Sequence, residues 1–209
     1  VTDRIATIQR RRQQMKRIFL GGVLGGLVLF VWSAIAHIPP IGTAGERIVA
    51  SAKEPVVLQA IGESMTERAI YMLPGLDSRR PLTAEKKQTW ASRFERGPAA
   101  VVAFSPRPAD RAWAGSPFAT FFIVEFLGAV AAGFLGAVIA VSLSGAFGLW
   151  PRALVIAAVG LIATIDVDVS YWNWYGFPTS YLFAQFFDHV VGWFLAGLVL
   201  ARVCRPLKA

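Results

Sequence analysis

Four long apolar stretches constrain the fold of this 209-residue chain more than any other feature. The first, Phe19 to Ile38, contains no charged side chain. A helix of about 20 residues, rising ~1.5 Å per residue, can cross a hydrocarbon core ~30 Å thick. The chain is also 55% hydrophobic and only 16% charged, which is too apolar for an ordinary soluble domain. We therefore predict an α-helical membrane protein with four transmembrane helices, at residues 18–38, 118–143, 152–169 and 181–201.

The segment between the first two predicted spans, residues 39–117, is too polar to lie in lipid. It carries eleven basic and eight acidic residues along with many prolines. Its helix and strand signals predict a small extracytoplasmic α+β domain. Such a small unit has a thin core, so we expect it to depend on the membrane part or on a partner. The predicted elements are a helix from Glu54-Pro55 with Val56, Val57, Ala60 and Ile61 as its buried stripe, a surface helix over Thr83 to Arg96 ended by Gly97-Pro98, and strands at Ala69 to Leu73 and Ala99 to Phe104.

Basic tails at both ends of the chain set the predicted orientation. Residues 1–17 hold a single acid, and residues 202–209 form a second basic tail. Because basic residues beside a span favour the cytoplasmic side, we predict a bacterial inner-membrane protein with both termini in the cytoplasm and residues 39–117 outside. The first tail either lies along anionic lipid headgroups as a helix or is a disordered, solvated segment. Its basic residues are Arg4, Arg10, Arg11, Arg12, Lys16 and Arg17.

An aromatic segment, residues 170–180, separates the last two predicted spans. Gly176 and Pro178 favour a break of the helix here. Amphipathic rings settle at the headgroup level of a bilayer, with an apolar body in the acyl region and a polar tip in water. We therefore predict an outer turn at the membrane interface. The interfacial rings are those of Tyr171, Trp172, Trp174 and Tyr175.

Small residues predict where helices approach one another. Two overlapping GxxxG spacings near the start of the first span expose backbone on a broad face, and the second span has a similar face. These faces pack within the bundle or against a partner subunit, and leucine at Gly22 or Gly25 is expected to weaken the contact. Alanine at Gly26 is expected to be milder. The helix-packing residues are Gly21, Gly22, Gly25 and Gly26 in the first span and Gly128, Gly133 and Gly136 in the second.

Four acids and two histidines lie in or beside the predicted spans, all in the outer half of the bilayer. Charge in hydrocarbon is expensive and faces a partner or a cavity. These side chains either bond within the bundle and to outer arginines such as Arg47 or Arg111, or form a metal or ion site. The inner halves hold no ionisable residue, which argues against a proton pump. The cluster consists of His37, Glu125, Asp166, Asp168, Asp188 and His189.

One of these histidines could also hold a cofactor. An imidazole on a transmembrane helix can ligate a haem iron or a chlorophyll magnesium, and the small Gly192 and Ala196 beside His189 would leave room for a ring. A single histidine is weak evidence for such a ligand. We therefore expect that no cofactor or metal is required.

Several function classes lack the residues they need. The chain has no GxSxG, HExxH or Walker motif, so we predict that it is not an enzyme. The formal charge of +8 is divided among two tails and the central segment, without the continuous basic stripe that nucleic acid requires. Cys204 is the lone cysteine, so there is no disulfide framework.

Two functions remain consistent with these features. The first is a non-enzymatic accessory or scaffold subunit that packs against a larger membrane assembly, for example a photosynthetic or respiratory complex, and caps it on the outer side. Its partners would be other membrane protein subunits and lipid. The second is a small membrane carrier that binds an ion or ligand through the outer acidic and histidine cluster.

The order of segments also carries a resemblance. A basic tail, a helix, an outer segment containing EPVVLQAI and AIYMLPG, and then DVDVSYWNWYGFP before a last helix resemble an uncharacterised group of bacterial four-helix membrane proteins. The likeness spans most of the chain, and YWNWYGFP is its most specific part. It implies an outer domain between helices 1 and 2 and implies no activity.

Overall fold

The computed structural model describes residues 2–77, 79, 81–107 and 116–205 and is 70% helical. Within these residues, four helical stretches are long and apolar enough to cross a membrane: Thr7–Ala36, Phe118–Ser142, Leu149–Tyr175 and Thr179–Val203. The predicted fold class is confirmed at this level, as a mostly helical chain with four candidate spans and a small sheet. The elements are α1 (Thr2–Ala36), α2 (Glu54–Ser64), β1 (Ala69–Leu73), α3 (Ala84–Arg96), β2 (Ala100–Phe104), α4 (Pro117–Ser142), α5 (Leu149–Ala163), a π-helical turn (Thr164–Asp168), α6 (Val169–Tyr175) and α7 (Thr179–Val203).

Two of the other three candidate spans pack directly against α1. This helix contacts α4 on one side and α7 on the other, and α7 in turn packs against α5. The core between them is built from small residues and two larger ones, since Ala137, Ala140 and Ala196 are fully buried beside Ile156 and Leu200. Small side chains allow the helix axes to approach closely, and dispersion contacts between helices then replace contacts with lipid.

Glycines place the backbones of α1 and α4 in direct contact. A Cβ on Gly26 would lie 2.5 Å from Val130 Cα. One on Gly133 would collide with backbone atoms of Gly22 and Gly26, and one on Gly22 would lie 2.5 Å from the ring of Phe134. This interface therefore tolerates no side chain on either helix at the crossing.

The same stretch of α1 meets α7 through its other two glycines. A Cβ on Gly21 would lie 2.8 Å from Cys204 Sγ, and one on Gly25 would lie 2.9 Å from Leu200 Cδ2. Gly136 of α4 meets the same leucine, because its Cβ would lie 2.8 Å from Leu200 Cδ1. The two GxxxG pairs are thus divided between two neighbours inside the chain, so neither pair is free for a partner subunit.

One end of the bundle is closed by a buried arginine. Arg152 is only 4% exposed and donates to the carbonyl oxygens of Ala201 and Cys204 at 2.5 and 2.8 Å. The last carbonyls of a helix lack intrahelical donors, so a cation is favoured there. The Arg17 guanidinium donates to the Arg205 carbonyl nearby, and Cys204 Sγ donates to the Arg17 carbonyl at 3.6 Å. The start of α1's span and the end of α7 therefore share one end of the bundle.

The segment between α1 and α4 has regular elements but almost no interior. β1 and β2 pair antiparallel, with Ala69 opposite Phe104. α3 begins after Thr83, whose hydroxyl accepts from the Lys86 amide, and ends at Gly97 with φ of 63°. The start of α2 matches the prediction, but its predicted buried stripe at Val56, Val57, Ala60 and Ile61 is wrong, because no residue of α2 is buried. Among the described residues, no element covers this face extensively.

Two predicted boundaries also differ from the structure. α1 begins at Thr2, so the basic tail continues the helix of the first span and is not a disordered segment. The third span continues beyond residue 169 to Tyr175, so the predicted turn at 170–180 shrinks to residues 176–178, where Gly176 has φ of 70°. Residues 170–175 contain no glycine or proline, so the helical hydrogen bonds continue up to Gly176.

The close contact of α1 with α4 predicts a sharp response to a single methyl group. We expect Gly26→Ala to lower the melting temperature in detergent by roughly 3–10 °C, because overpacking a core costs about 1–3 kcal/mol. Alanine is smaller than leucine, but at Gly26 even its Cβ meets backbone atoms that cannot rotate away. Gly128→Ala is the matched control, because its Cβ would meet nothing within 4 Å. Equal melting temperatures for both variants would contradict the α1–α4 contact.

Candidate functional site

A polar cleft opens between α1, α4 and α7 in the half of the bundle away from Arg152. It encloses about 310 Å³. Four of the six residues of the predicted cluster line it, contributed by three different helices, and two neutral polar side chains complete its polar wall. The polar lining consists of Ser33, His37, Glu125, Gln185, Asp188 and His189.

An apolar arm of about 500 Å³ extends from this cleft between α1 and the N-terminal part of α4. It shares Ser33, His37 and Glu125 with the polar part. The remaining wall is mostly aromatic, and its α4 rings Phe118, Phe121 and Phe122 point partly outward, with 74%, 40% and 61% of their surfaces exposed. The apolar arm is therefore open along the side formed by these three rings.

Glu125 has no ion-pair partner among the described residues. It is exposed on α4. The predicted partner Arg47 instead donates to its neighbour's carbonyl, Glu46 O, at 2.6 Å. Arg111 lies outside the described residues. Asp166 is exposed on the π-helical turn and does not line the cleft.

Asp188 is tied to α1 through a tryptophan that sequence reasoning missed. Trp32 Nε1 donates to the Asp188 main-chain oxygen at 2.9 Å. Asp188 lines the cleft together with His189, His37 and Glu125.

His189 is held by a hydroxyl on the neighbouring span. Its Nδ1 lies 3.0 Å from Thr164 Oγ1. The Thr164 hydroxyl donates its own proton to Gly160 O at 3.2 Å, so it accepts from Nδ1. This assigns the proton to Nδ1 and leaves Nε2 of the neutral ring with a lone pair. Asp168 Oδ2 lies 3.3 Å from the same nitrogen but makes no hydrogen bond among the described residues.

The π-helical turn aligns the residues that hold His189. Each α-helical residue advances by about 100°, so the four-residue step from Gly160 to Thr164 drifts forward by about 40°. A π turn has more residues per turn, about 80° each, so the step from Thr164 to Asp168 drifts back by about the same angle. All three residues thus face α7. In the sequence these three residues are spaced four apart. A regular α-helix would not keep all three on one face, whereas the π turn does.

The cleft does not contain a metal-ligand set. Among the described residues, no group of three or more His, Cys, Asp or Glu side chains could hold a metal ion. The space expected beside His189 for a tetrapyrrole is also filled. A Cβ on Gly192 would lie 2.6 Å from Trp32 Cδ1, and Ala196 is fully buried in the core. The geometry therefore gives no support to His189 as a haem or chlorophyll ligand.

Comparisons with known proteins add no further restraint on the site. No protein-family model, no curated protein and no solved structure matches the chain. The contacts, burial and charges of the described residues therefore carry the functional inference.

The hydrogen bonds around His189 predict its tautomer. Nitrogen NMR of protein labelled with ¹⁵N-histidine, at a pH where the ring is neutral, is expected to show His189 protonated at Nδ1 and bare at Nε2. The chain has two histidines, so His37→Gln assigns the signals. Asp168→Asn should raise the population of the opposite tautomer, since an amide NH₂ can donate to Nδ1. A wild-type ring protonated at Nε2 would contradict the assignment.

Proposed function

We propose that this protein is a non-enzymatic accessory subunit of a larger membrane assembly. Its four helices anchor it, and the segment between α1 and α4 caps the assembly on the outer side of a bacterial inner membrane. The observation that supports this proposal is the exposed apolar surface of that segment, which lies outside all four candidate spans. Lipid covers apolar side chains within spans, but outside them a protein partner is needed.

Apolar exposure in this segment is unusually complete. Ile48 is 97% exposed, Ile70 is 71% exposed and Val56 is 68% exposed. Met65, at 5%, is the one buried residue among the described residues of this segment. Scattered surface hydrophobics are ordinary, but a folded segment whose apolar side chains lack an interior is stabilised only when another surface covers them.

The small sheet points to the same conclusion. Ile70 and Met72 alternate along β1 and lie on one face, with 71% and 47% of their surfaces exposed. The sheet has two strands, and an isolated two-stranded hairpin is marginally stable in water. Coverage of this face by a partner would stabilise the hairpin and bury side chains that the chain itself leaves open.

The charges of the bundle ends support the proposed orientation. Arg17, Arg202 and Arg205 lie at or beside the end that Arg152 closes, and the helix of α1 carries further basic residues beyond it. Each basic residue near an anionic leaflet contributes about 1 kcal/mol of attraction. Both termini would therefore face the cytoplasm, with residues 39–117 outside and anionic lipid as a partner of α1.

Labelling of single cysteines tests this orientation. In a Cys204→Ser background, Lys87→Cys on α3 is expected to react with a membrane-impermeant maleimide in intact spheroplasts. Arg12→Cys on α1 is the matched position on the other side, and it should react only after the membrane is opened. Both positions are exposed, so burial cannot hide either one. Reaction of Arg12→Cys in intact spheroplasts would overturn the orientation.

A charge placed on the exposed sheet face tests the accessory role. Ile70→Asp is expected to reduce the assembly in native gels of mildly solubilised membranes by at least about tenfold, because burying an unpaired carboxylate costs several kcal/mol. Gln88→Asp adds the same charge at an exposed polar position of α3 and should leave the assembly intact. Migration of the wild type as a monomer or as a homo-oligomer alone would contradict the proposal.

The alternative function, a carrier that binds an ion or ligand, is supported by the polar cleft alone. Its polar side chains come from the half of the bundle away from Arg152, and the fully buried residues at the other end form an apolar core. Transport requires access from both sides. Ligand binding without transport is compatible with an accessory subunit.

A further inference from the structure

We propose that the cleft between α1, α4 and α7 binds an amphipathic molecule of the phenol or hydroquinone class, whose hydroxyl donates a hydrogen bond to Nε2 of His189. This inference goes beyond the accessory role and does not depend on it. Three features of the cleft lead to this ligand class: the hydrogen-bonding state of its histidine, the shape of its walls and its access from the bilayer.

The histidine presents an acceptor to the cleft. Thr164 accepts the hydrogen bond from Nδ1, and His189 also lines the cleft. A third of its side-chain surface remains accessible, so Nε2 is the ring nitrogen available to a ligand. A lone pair there accepts from a hydroxyl and repels a carbonyl oxygen.

The walls beside His189 suit a flat ring. Two indoles, Trp32 and Trp193, line the cleft, and aromatic pairs favour stacked or edge-to-face contact with a bound ring. Opposite them, α4 contributes Gly128, Ala129 and Ala132, whose small side chains leave a shallow, smooth surface. A Cβ on Gly128 would meet nothing within 4 Å, so space remains above this part of α4.

Further polar groups can satisfy a second oxygen on the ring. Gln185 and Ser33 each offer a donor and an acceptor, and Glu125 offers an acceptor without an ion-pair partner among the described residues. A buried or membrane-facing polar group is costly unless bonded. A hydroquinone carries two hydroxyls on opposite sides of its ring, so it can bond to His189 and to one of these groups at once.

Access and size complete the assignment. The apolar arm lined by Phe118, Phe121 and Phe122 joins the polar part and is open along α4. Its volume of about 500 Å³ and the 310 Å³ of the polar part fall in the range of ligand sites. A ligand with a polar ring and an apolar tail would enter from the bilayer and place the tail in this arm.

Binding of matched probes to the purified full chain in nanodiscs tests the proposal. The probes are a decyl-substituted hydroquinone, kept reduced under argon, and its dimethyl ether, which lacks hydroxyl donors. Calorimetric titration is expected to give a Kd for the hydroquinone about tenfold lower than for the ether, because one hydrogen bond in an apolar site contributes about that factor. Equal affinities, or no saturable binding of the hydroquinone, would overturn the proposal.

Variants locate the effect at His189. His189→Leu is expected to remove the preference for the hydroquinone over the ether. Asp168→Asn should reduce this preference at least about threefold, because the proton then lies on Nε2 in part of the molecules. Asp166→Asn removes the same charge from the same π-helical turn but lies exposed and away from the cleft, so its preference should equal that of the wild type. If His189→Leu fails to fold, the test is the hydroquinone preference of Asp168→Asn compared with that of Asp166→Asn, together with the tautomer of His189 seen by NMR in each. An unchanged preference for the hydroquinone over the ether in Asp168→Asn would overturn the role of Nε2.

Discussion

The close approach of α1 to its two neighbours is the contact on which the rest of the bundle depends. Lipid is as apolar as leucine, so helices in a membrane associate through packing and not through the hydrophobic effect. Backbone contact at Gly26 and Gly133 gives α1 and α4 that packing, while Gly21 and Gly25 give it to α1 and α7. Because all of these contacts lie toward the end closed by Arg152, the bundle is tight at that end.

The contact between α1 and α4 opens in the opposite half for the same reason. Beyond Gly133, α4 has no further glycine in backbone contact with α1, and Gly128 faces open space. These two helices therefore diverge, and the space beside them becomes the cleft that collects His37, Glu125, Asp188 and His189. Polar side chains collect where packing ends, because they can reach one another or a bound molecule only where the backbones separate. The positions of the glycines in contact between α1 and α4 therefore account for both the close packing at one end and the cleft at the other.

Sequence reasoning found the elements more reliably than their surroundings. Apolar length alone located four candidate spans, and Thr83 with Gly97 located α3 closely. Burial was harder to predict, because the stripe beginning at Val56 has helical spacing but no covering element within the described residues. The depths of the acids and histidines in their spans placed them in one half of the bundle, but which of them line one cleft depends on how the helices pack. The proton position on His189 was not predictable, because it depends on Thr164, whose hydroxyl role appears only when two helices are packed together.

The widened turn at Thr164–Asp168 couples two parts of the molecule that would otherwise be independent. Downstream of it, α6 carries Tyr171, Trp172, Trp174 and Tyr175, and its orientation about the helix axis is set by the same backward drift that brings Asp168 to His189. Tyr171 then stacks on Phe177 with ring centroids 5.3 Å apart. A change of pitch in this one turn would rotate the aromatic end and the histidine support together. The orientation of these aromatic side chains and the acceptor state of His189 therefore depend on the same rotation of the helix.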